Sequence, residues 1–149
     1  MTHENNIILP SKITLANIYR PPRDKNSNAS VDRFLAPFSE IFNRLSRENS
    51  TLITGGDFNL NLLQLNERDK FQEFFDLFVA NGSFPQIMMP TRFSKKNATL
   101  IEQIFCRFSK FSYYDSSGIL LSKISDHLPC FSVIKIKNKL KYKSKYIKI

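Results

Sequence analysis

Thr51–Leu63 reads "TLITGGDFNLNLL". An apolar run ends in two glycines, and Asp57, Phe58 and Asn59 follow at once. The run is short and continuously apolar, as expected of a central strand. Burying polar groups without partners is costly. Asp57 and Asn59 at the strand end therefore mark either a tight turn, with glycine for unusual φ and Asp/Asn for local hydrogen bonds, or a site.

Working outward, strand-like and helix-like segments alternate. Upstream, "KITLANIYR" (12–20) reads as a strand stopped by Pro21-Pro22, and "PPRDKNSNAS" as a loop. Val31, Phe34, Leu35, Phe38, Ile41, Phe42 and Leu45 then recur with helical spacing, with Ser30 as the expected N-cap and Pro37 as a bend or first-turn residue. Downstream, Phe71, Phe74, Phe75 and Phe78 make a second amphipathic helix ended by Asn81-Gly82. "SFPQIMMPTRFSKKNA" reads as a connector, and "TLIEQIFCRF" (99–108) and "PCFSVIKIK" (129–137) as strands. Between these last two, "YYDSSGILLSKISDH" reads as a turn, a short apolar run and a polar end. The order β-α-β-α-β-β-β predicts an α/β fold with helices covering a sheet.

Bulk properties narrow the class. The 149 residues suit one domain, and 42% hydrophobic residues, including 14 phenylalanines and no tryptophan, can build its core. No apolar run is long enough for a membrane helix, and "MTHENNIILP" lacks the pattern of a secretory signal. Cys106 and Cys130 sit in apolar strand-like runs without metal spacing and are expected to be buried free thiols. These features lead us to expect an intracellular protein, nuclear or cytoplasmic. The net charge of +9 is unevenly placed: residues 135–149 carry seven lysines and no acid, leaving +2 for the rest. That tail reads equally as a phosphate-holding arm or as an edge strand whose lysines discourage pairing.

Polar residues recur at expected strand ends: Tyr19 with Arg20, Asp57 with Asn59, Glu102 within "TLIEQIF", and Asp126-His127 in "SDHLP". Sites in layered α/β folds are built there. Phosphodiester hydrolysis needs a base for water and groups that neutralise the developing charge. An aspartate, an asparagine, an Asp-His pair and an acid to fix the histidine tautomer supply those parts. Each motif alone is more simply a cap or turn; the ordered set is more specific.

That order, "NIYRPPR", "ITGGDFNLNLL", "MMPTRFS", "ATLIEQIF", "GILLSKISDHLPCFSV", resembles the C-terminal half of an endonuclease/exonuclease/phosphatase domain over about residues 10–137. "GDFN" and "SDH" carry the superfamily resemblance. "YRPP", "PTR" and "TLI-acid-x-IF" resemble the non-LTR (LINE-type) retrotransposon branch. The resemblance implies a partial four-layer α/β sandwich, DNase I-like, made mainly of the C-terminal sheet with its covering helices, followed by a lysine-rich tail at 138–149. It implies a Mg²⁺- or Mn²⁺-dependent DNA-nicking phosphodiesterase. Asp57 would orient or deprotonate water, Asn59 bind the scissile phosphate, His127 stabilise its charge, Asp126 help hold the metal, and Tyr19 touch the phosphate. Arg20, Thr91 and Arg92 would face DNA. Glu102 stands where the family usually has a histidine-orienting aspartate; it keeps the charge with one more methylene.

The family's N-terminal half supplies an early Asn and a metal-binding Glu. Glu4 has no strand before it and no helix-like run after it, so that role is not assigned to it. The resemblance therefore implies an N-terminally truncated fragment with weak metal binding. Its inner sheet face is expected to be open, about 600 Å² of apolar surface corresponding to about 15 kcal/mol of lost burial at the upper end. Such a face calls for the missing half or another chain. The alternatives to a nuclease are an inactive retroelement remnant and a non-enzymatic interaction or nucleic-acid-binding module.

Overall fold

The computed structural model describes residues 12–22, 27–48, 50–109 and 112–136. The expected lysine-rich tail at 138–149 and Glu4 lie outside the described residues. Strand β1 (Ile13–Tyr19) is followed by helix α1 (Asn28–Ser46), strand β2 (Thr51–Asp57), a short 3-10 helix (Leu62–Glu67) and helix α2 (Asp69–Ala80). Six further strands follow: β3 (Phe84–Pro85), β4 (Arg92–Phe93), β5 (Ala98–Thr99), β6 (Glu102–Arg107), β7 (Ser112–Ile119) and β8 (Cys130–Ile136).

The main sheet has the order β1-β2-β6-β3, with β2 central as expected. β1 runs parallel to β2, while β6 is antiparallel to β2 and to β3. A parallel pair needs a crossover, and α1 provides it. β7 and β8 form a separate hairpin, as do the two-residue strands β4 and β5.

Strand side chains alternate between faces, so Ile18, Leu52 and Phe105 point one way while Thr51 and Cys106 point the other. The first face meets the helices in a core of Val31, Leu35, Phe38, Phe42, Phe58, Phe71, Phe74 and Phe78. Its rings are in mutual contact: Phe78 stacks on Phe105 with centroids 3.8 Å apart, and Phe42 lies 4.4 Å from Phe78. The second face meets the β7–β8 hairpin through hydroxyl groups. Thr51 Oγ1 and Ser112 Oγ are 2.6 Å apart, and Thr51 Oγ1 donates to Ser109 Oγ at 3.0 Å. The chain is thus a mixed α/β layered fold: helices, main sheet, small second sheet.

Several expectations change. Ser27, not Ser30, caps α1, its Oγ accepting the Ser30 amide 3.3 Å away; the helix begins before the apolar pattern that suggested Ser30. The helix runs on through Pro37, and Ile41 is exposed although it fits the apolar spacing. The expected connector contains β3 and β4, and the expected turn at Tyr113–Gly118 is strand β7. Only Cys106 is buried; Cys130 is half-buried, with burial pushing both thiols up to about 11. The second sheet face is not wholly open, because the hairpin covers the part under β6. Ile13, Leu15 and Tyr19 of β1 remain exposed, Leu15 at 74%. Among the described residues, no helix is long and apolar enough to cross a membrane.

Candidate active site

Register builds the site. Tyr19 pairs with Asp57 across the parallel ladder, and Asp57 pairs with Glu102 across the antiparallel one. The three residues therefore form one row at one end of the sheet. Gly56, just before Asp57, has φ +149°, and a Cβ there would lie 1.8 Å from the Ile18 carbonyl oxygen. β1 can come this close only to glycine. Gly55 has no such constraint, since its added Cβ would meet nothing nearer than 3.5 Å.

Beyond β2 the chain turns through Asn59, at φ +49°. Asn tolerates this left-handed conformation, and two bonds hold it. The Asn59 amide N–H donates to Asp57 Oδ1 at 2.9 Å, and its side-chain Nδ2 donates to the Arg20 carbonyl at 2.8 Å. Arg20 in turn places Nη1 near the carbonyls of Phe58 and Asn59 and Nη2 3.2 Å from Ser30 Oγ. Phe58, between the two polar residues, is buried in the aromatic core and anchors the turn.

His127 arrives from the other side. It forms a β-bridge with Arg92, flanked by Phe93 N–H donating to the Asp126 carbonyl (3.0 Å) and Leu128 N–H donating to the Thr91 carbonyl (2.7 Å). Thr91 Oγ1 accepts the amides of Ile101 and Glu102, each at 3.2 Å. Thr91 thus ties the entry of β6 to the segment that carries His127, and His127 Nδ1 meets Glu102 Oε1. With Glu102 ionised, Nδ1 is the protonated nitrogen and Nε2 is left for chemistry.

Asp57, Glu102 and His127 each offer a ligand atom, all within 4.8 Å of one another. Burial pushes the Asp57 carboxyl above its ordinary value; the charge of Glu102 adds to this, and the Asn59 amide opposes it. Glu102 Oε2 is buried and has no hydrogen-bond partner. Two carboxylates with an imidazole, one oxygen being orphaned, fit a divalent cation.

Other expected site residues lie differently. Asp126, expected to hold metal, directs Oδ2 to Arg92 Nε at 2.8 Å, and this pairing lowers its carboxyl pKa. Arg20, expected to face DNA, is buried at 3% exposure, and desolvation lowers its pKa. Thr91, also expected to face DNA, is fully buried because its hydroxyl serves two backbone amides. Asn59, expected to bind phosphate, is buried with its amide nitrogen on a backbone carbonyl. Tyr19 is exposed beside Asp57 at 67%, and Arg92 is half-buried beside His127. The roles of Thr91 and Arg20 as internal ties were not legible in the sequence; the sole cue was their place next to prolines, where a chain changes direction.

No family model matches the chain, and no curated protein matches it. Among solved structures it is similar to an endonuclease/exonuclease/phosphatase family protein from Leptotrichia buccalis C-1013-b, with 16% identity and a TM-score of 0.47. The similarity covers 66% of this chain and 41% of that one. The chain thus spans about two fifths of the length of that structure.

Proposed function

We propose that the chain is part of a divalent-metal-dependent phosphodiesterase of the endonuclease/exonuclease/phosphatase superfamily, acting on DNA as the nicking domain of a LINE-type retroelement does. The observation that carries this reading is the Glu102–His127 pair set beside Asp57 at one end of the sheet. Asp57, with its raised pKa, is the base that takes a proton from water. Glu102 holds the imidazole tautomer, and His127 Nε2 serves the phosphate oxygens as a hydrogen-bond donor when protonated. Asp57 and Glu102 would hold Mg²⁺ or Mn²⁺, which when bound acidifies water and neutralises phosphate charge. Asn59 and Thr91 position Asp57 and Glu102 through backbone bonds, and Tyr19 and Arg92 flank the cluster on the solvent side.

The test is nicking of supercoiled DNA by the purified chain with Mn²⁺ or Mg²⁺. We expect metal-dependent nicking that falls at least about 100-fold in Asp57→Asn and in His127→Ala. Nicking that survives both substitutions would refute this assignment. The exposed Ile13, Leu15 and Tyr19 favour a second reading: an interaction module that covers this face with another chain. A defined hetero- or homo-oligomer disrupted by Leu15→Asp, with no nicking, would favour it.

A further inference from the structure

The loop that joins β7 to His127, "LLSKISD" (120–126), plays no part in the chemistry above. It is held by hydrogen bonds along its length. At its base Ile119 pairs with Cys130, and the Leu120 N–H donates to the Pro129 carbonyl at 2.8 Å. Two hydroxyls fold the rest: Ser122 Oγ accepts the Ile124 amide at 3.2 Å, and Ser125 Oγ accepts the His127 amide at 3.1 Å. This bonded loop keeps Leu121 at 89% exposure and Ile124 at 95%, the two most exposed large apolar residues among the described residues. A single exposed leucine is ordinary. Two aliphatic tips on one ordered loop, with Lys123 between them, make a projection.

The charge around this projection has one sign. Lys123 lies on the loop, and Lys95 and Lys96 form the tip of the neighbouring β4–β5 hairpin. The hairpin turn is closed by the Ser94 N–H on the Asn97 carbonyl (2.8 Å) and by the Asn97 N–H on Ser94 Oγ (3.1 Å). None of the three lysines has an acidic partner among the described residues, and Asp126 is taken by Arg92 at 2.8 Å. Phe93 of the hairpin and Leu121 of the loop line one hollow of about 390 Å³. The Arg92–His127 bridge joins the two segments at their root. Apolar tips, unpaired cations and the candidate site therefore share one surface.

We propose that Leu121 and Ile124 form a wedge that enters a base step of duplex DNA beside the scissile phosphate, while Lys95, Lys96 and Lys123 hold flanking phosphates. The choice of DNA rests on the nuclease reading above. A duplex offers what this surface lacks: regularly spaced anions, and apolar base faces that aliphatic side chains reach by parting a step. Ile124 lies three residues before His127, so their separation is at most about 10 Å, or about three base pairs at ~3.4 Å each. The parted step is therefore close to the bond that His127 serves. An anionic membrane also combines charge with an apolar interior, but surfaces that lie on membranes use the long apolar face of a helix. This projection is two side chains on one short loop.

The test is 2-aminopurine fluorescence in duplex oligonucleotides carrying the probe at successive positions, with the full chain at low salt in EDTA, so that binding is read without cleavage. A rise of about threefold or more is expected at one step or two adjacent steps, because unstacking relieves quenching of the probe. Leu121→Ser/Ile124→Ser should abolish the rise while the salt dependence of binding stays as in the parent. Lys95→Gln/Lys96→Gln should weaken binding and lower the slope of log K against log salt by about 2. Melting curves of both variants show that they are folded. The wedge is overturned if the parent gives no rise on any duplex, or if Leu121→Ser/Ile124→Ser gives the parent's rise. Sedimentation with phosphatidylserine vesicles that this double substitution abolishes, with no rise on DNA, would make the loop a membrane anchor instead. The two readings fail separately. A chain that unstacks DNA but whose nicking survives Asp57→Asn and His127→Ala keeps the wedge and loses the catalytic assignment. Nicking abolished by those substitutions, with no unstacking, keeps the site and loses the wedge.

Discussion

The two faces of the main sheet differ in kind. The helix face is a lattice of phenylalanine rings, with Phe74, Phe78 and Phe105 at 0% exposure. The opposite face meets its hairpin through Thr51, Ser109 and Ser112, and at β1 meets solvent. One face holds the chain together by burial; the other is joined by hydroxyl contacts and gathers the ionisable groups. The buried aromatic core and the candidate site are thus separated across the thickness of one sheet, and Tyr19, Asp57 and Glu102 of the end row lie on the candidate-site side.

The separation can be broken most forcefully on the aromatic side. Phe78→Ala removes a ring that touches Phe38, Phe42, Phe58, Phe74 and Phe105 and should cost about 4 kcal/mol in urea unfolding. Leu15→Ser, on the open face, should change stability by less than about 0.5 kcal/mol. Equal losses would show that the β1 face is covered in solution. Next in size is the pair of glycines before Asp57. Gly56→Ala must displace β1 or distort β2 and should cost about 3 kcal/mol, whereas Gly55→Ala should cost less than about 1 kcal/mol. Similar melting points for the two variants would remove the close approach at Ile18 as a constraint on the site.

The smallest effect tests the site row itself. Because the folded state raises the Asp57 pKa, native protein binds that proton more tightly than unfolded chain. Its contribution to stability therefore falls as pH rises from the ordinary carboxylate value through the raised one, and stays lost above it. Asp57→Asn keeps an acceptor for the Asn59 amide and removes the charge. Its melting temperature should gain on the parent as pH is raised from about 3.5 to 7, by a few degrees at most. A gap that does not change with pH would mean that Asp57 is not desolvated.

The helices and principal strands were legible because each carries a strong period: phenylalanines at helical spacing in α1 and α2, and a bounded apolar run in β2. β7 was not, since "SYYDSSG" alternates no apolar residues; pairing with β8 rather than local preference makes it a strand. In the site, Asp57, Glu102 and His127 were named from the order of motifs, and the structure brings those three together. The motif logic could not tell which polar residues turn inward. Arg20, Asn59 and Thr91 carry groups that suit a phosphate equally well, but the irregular turns beside the strand ends leave backbone amides and carbonyls that need partners. That demand is set by tertiary geometry and leaves no periodic trace.

The row Tyr19–Asp57–Glu102 also constrains when the site can come into being. Each member lies on a different strand, and each pairing closes a long stretch of chain, one of them in a parallel ladder. Such contacts form late, after local helices and hairpins, because loop closure must precede any gain from the ladder. On the ribosome, α1 and α2 can emerge and collapse on their phenylalanines before Glu102 is made. The carboxylates then meet only when β6 docks antiparallel to β2 in a single register. A slip of one residue would send Glu102 to the phenylalanine face, where no histidine waits. Formation of this row therefore depends on the register of the sheet: a chain with its strands out of register can be compact and still lack it.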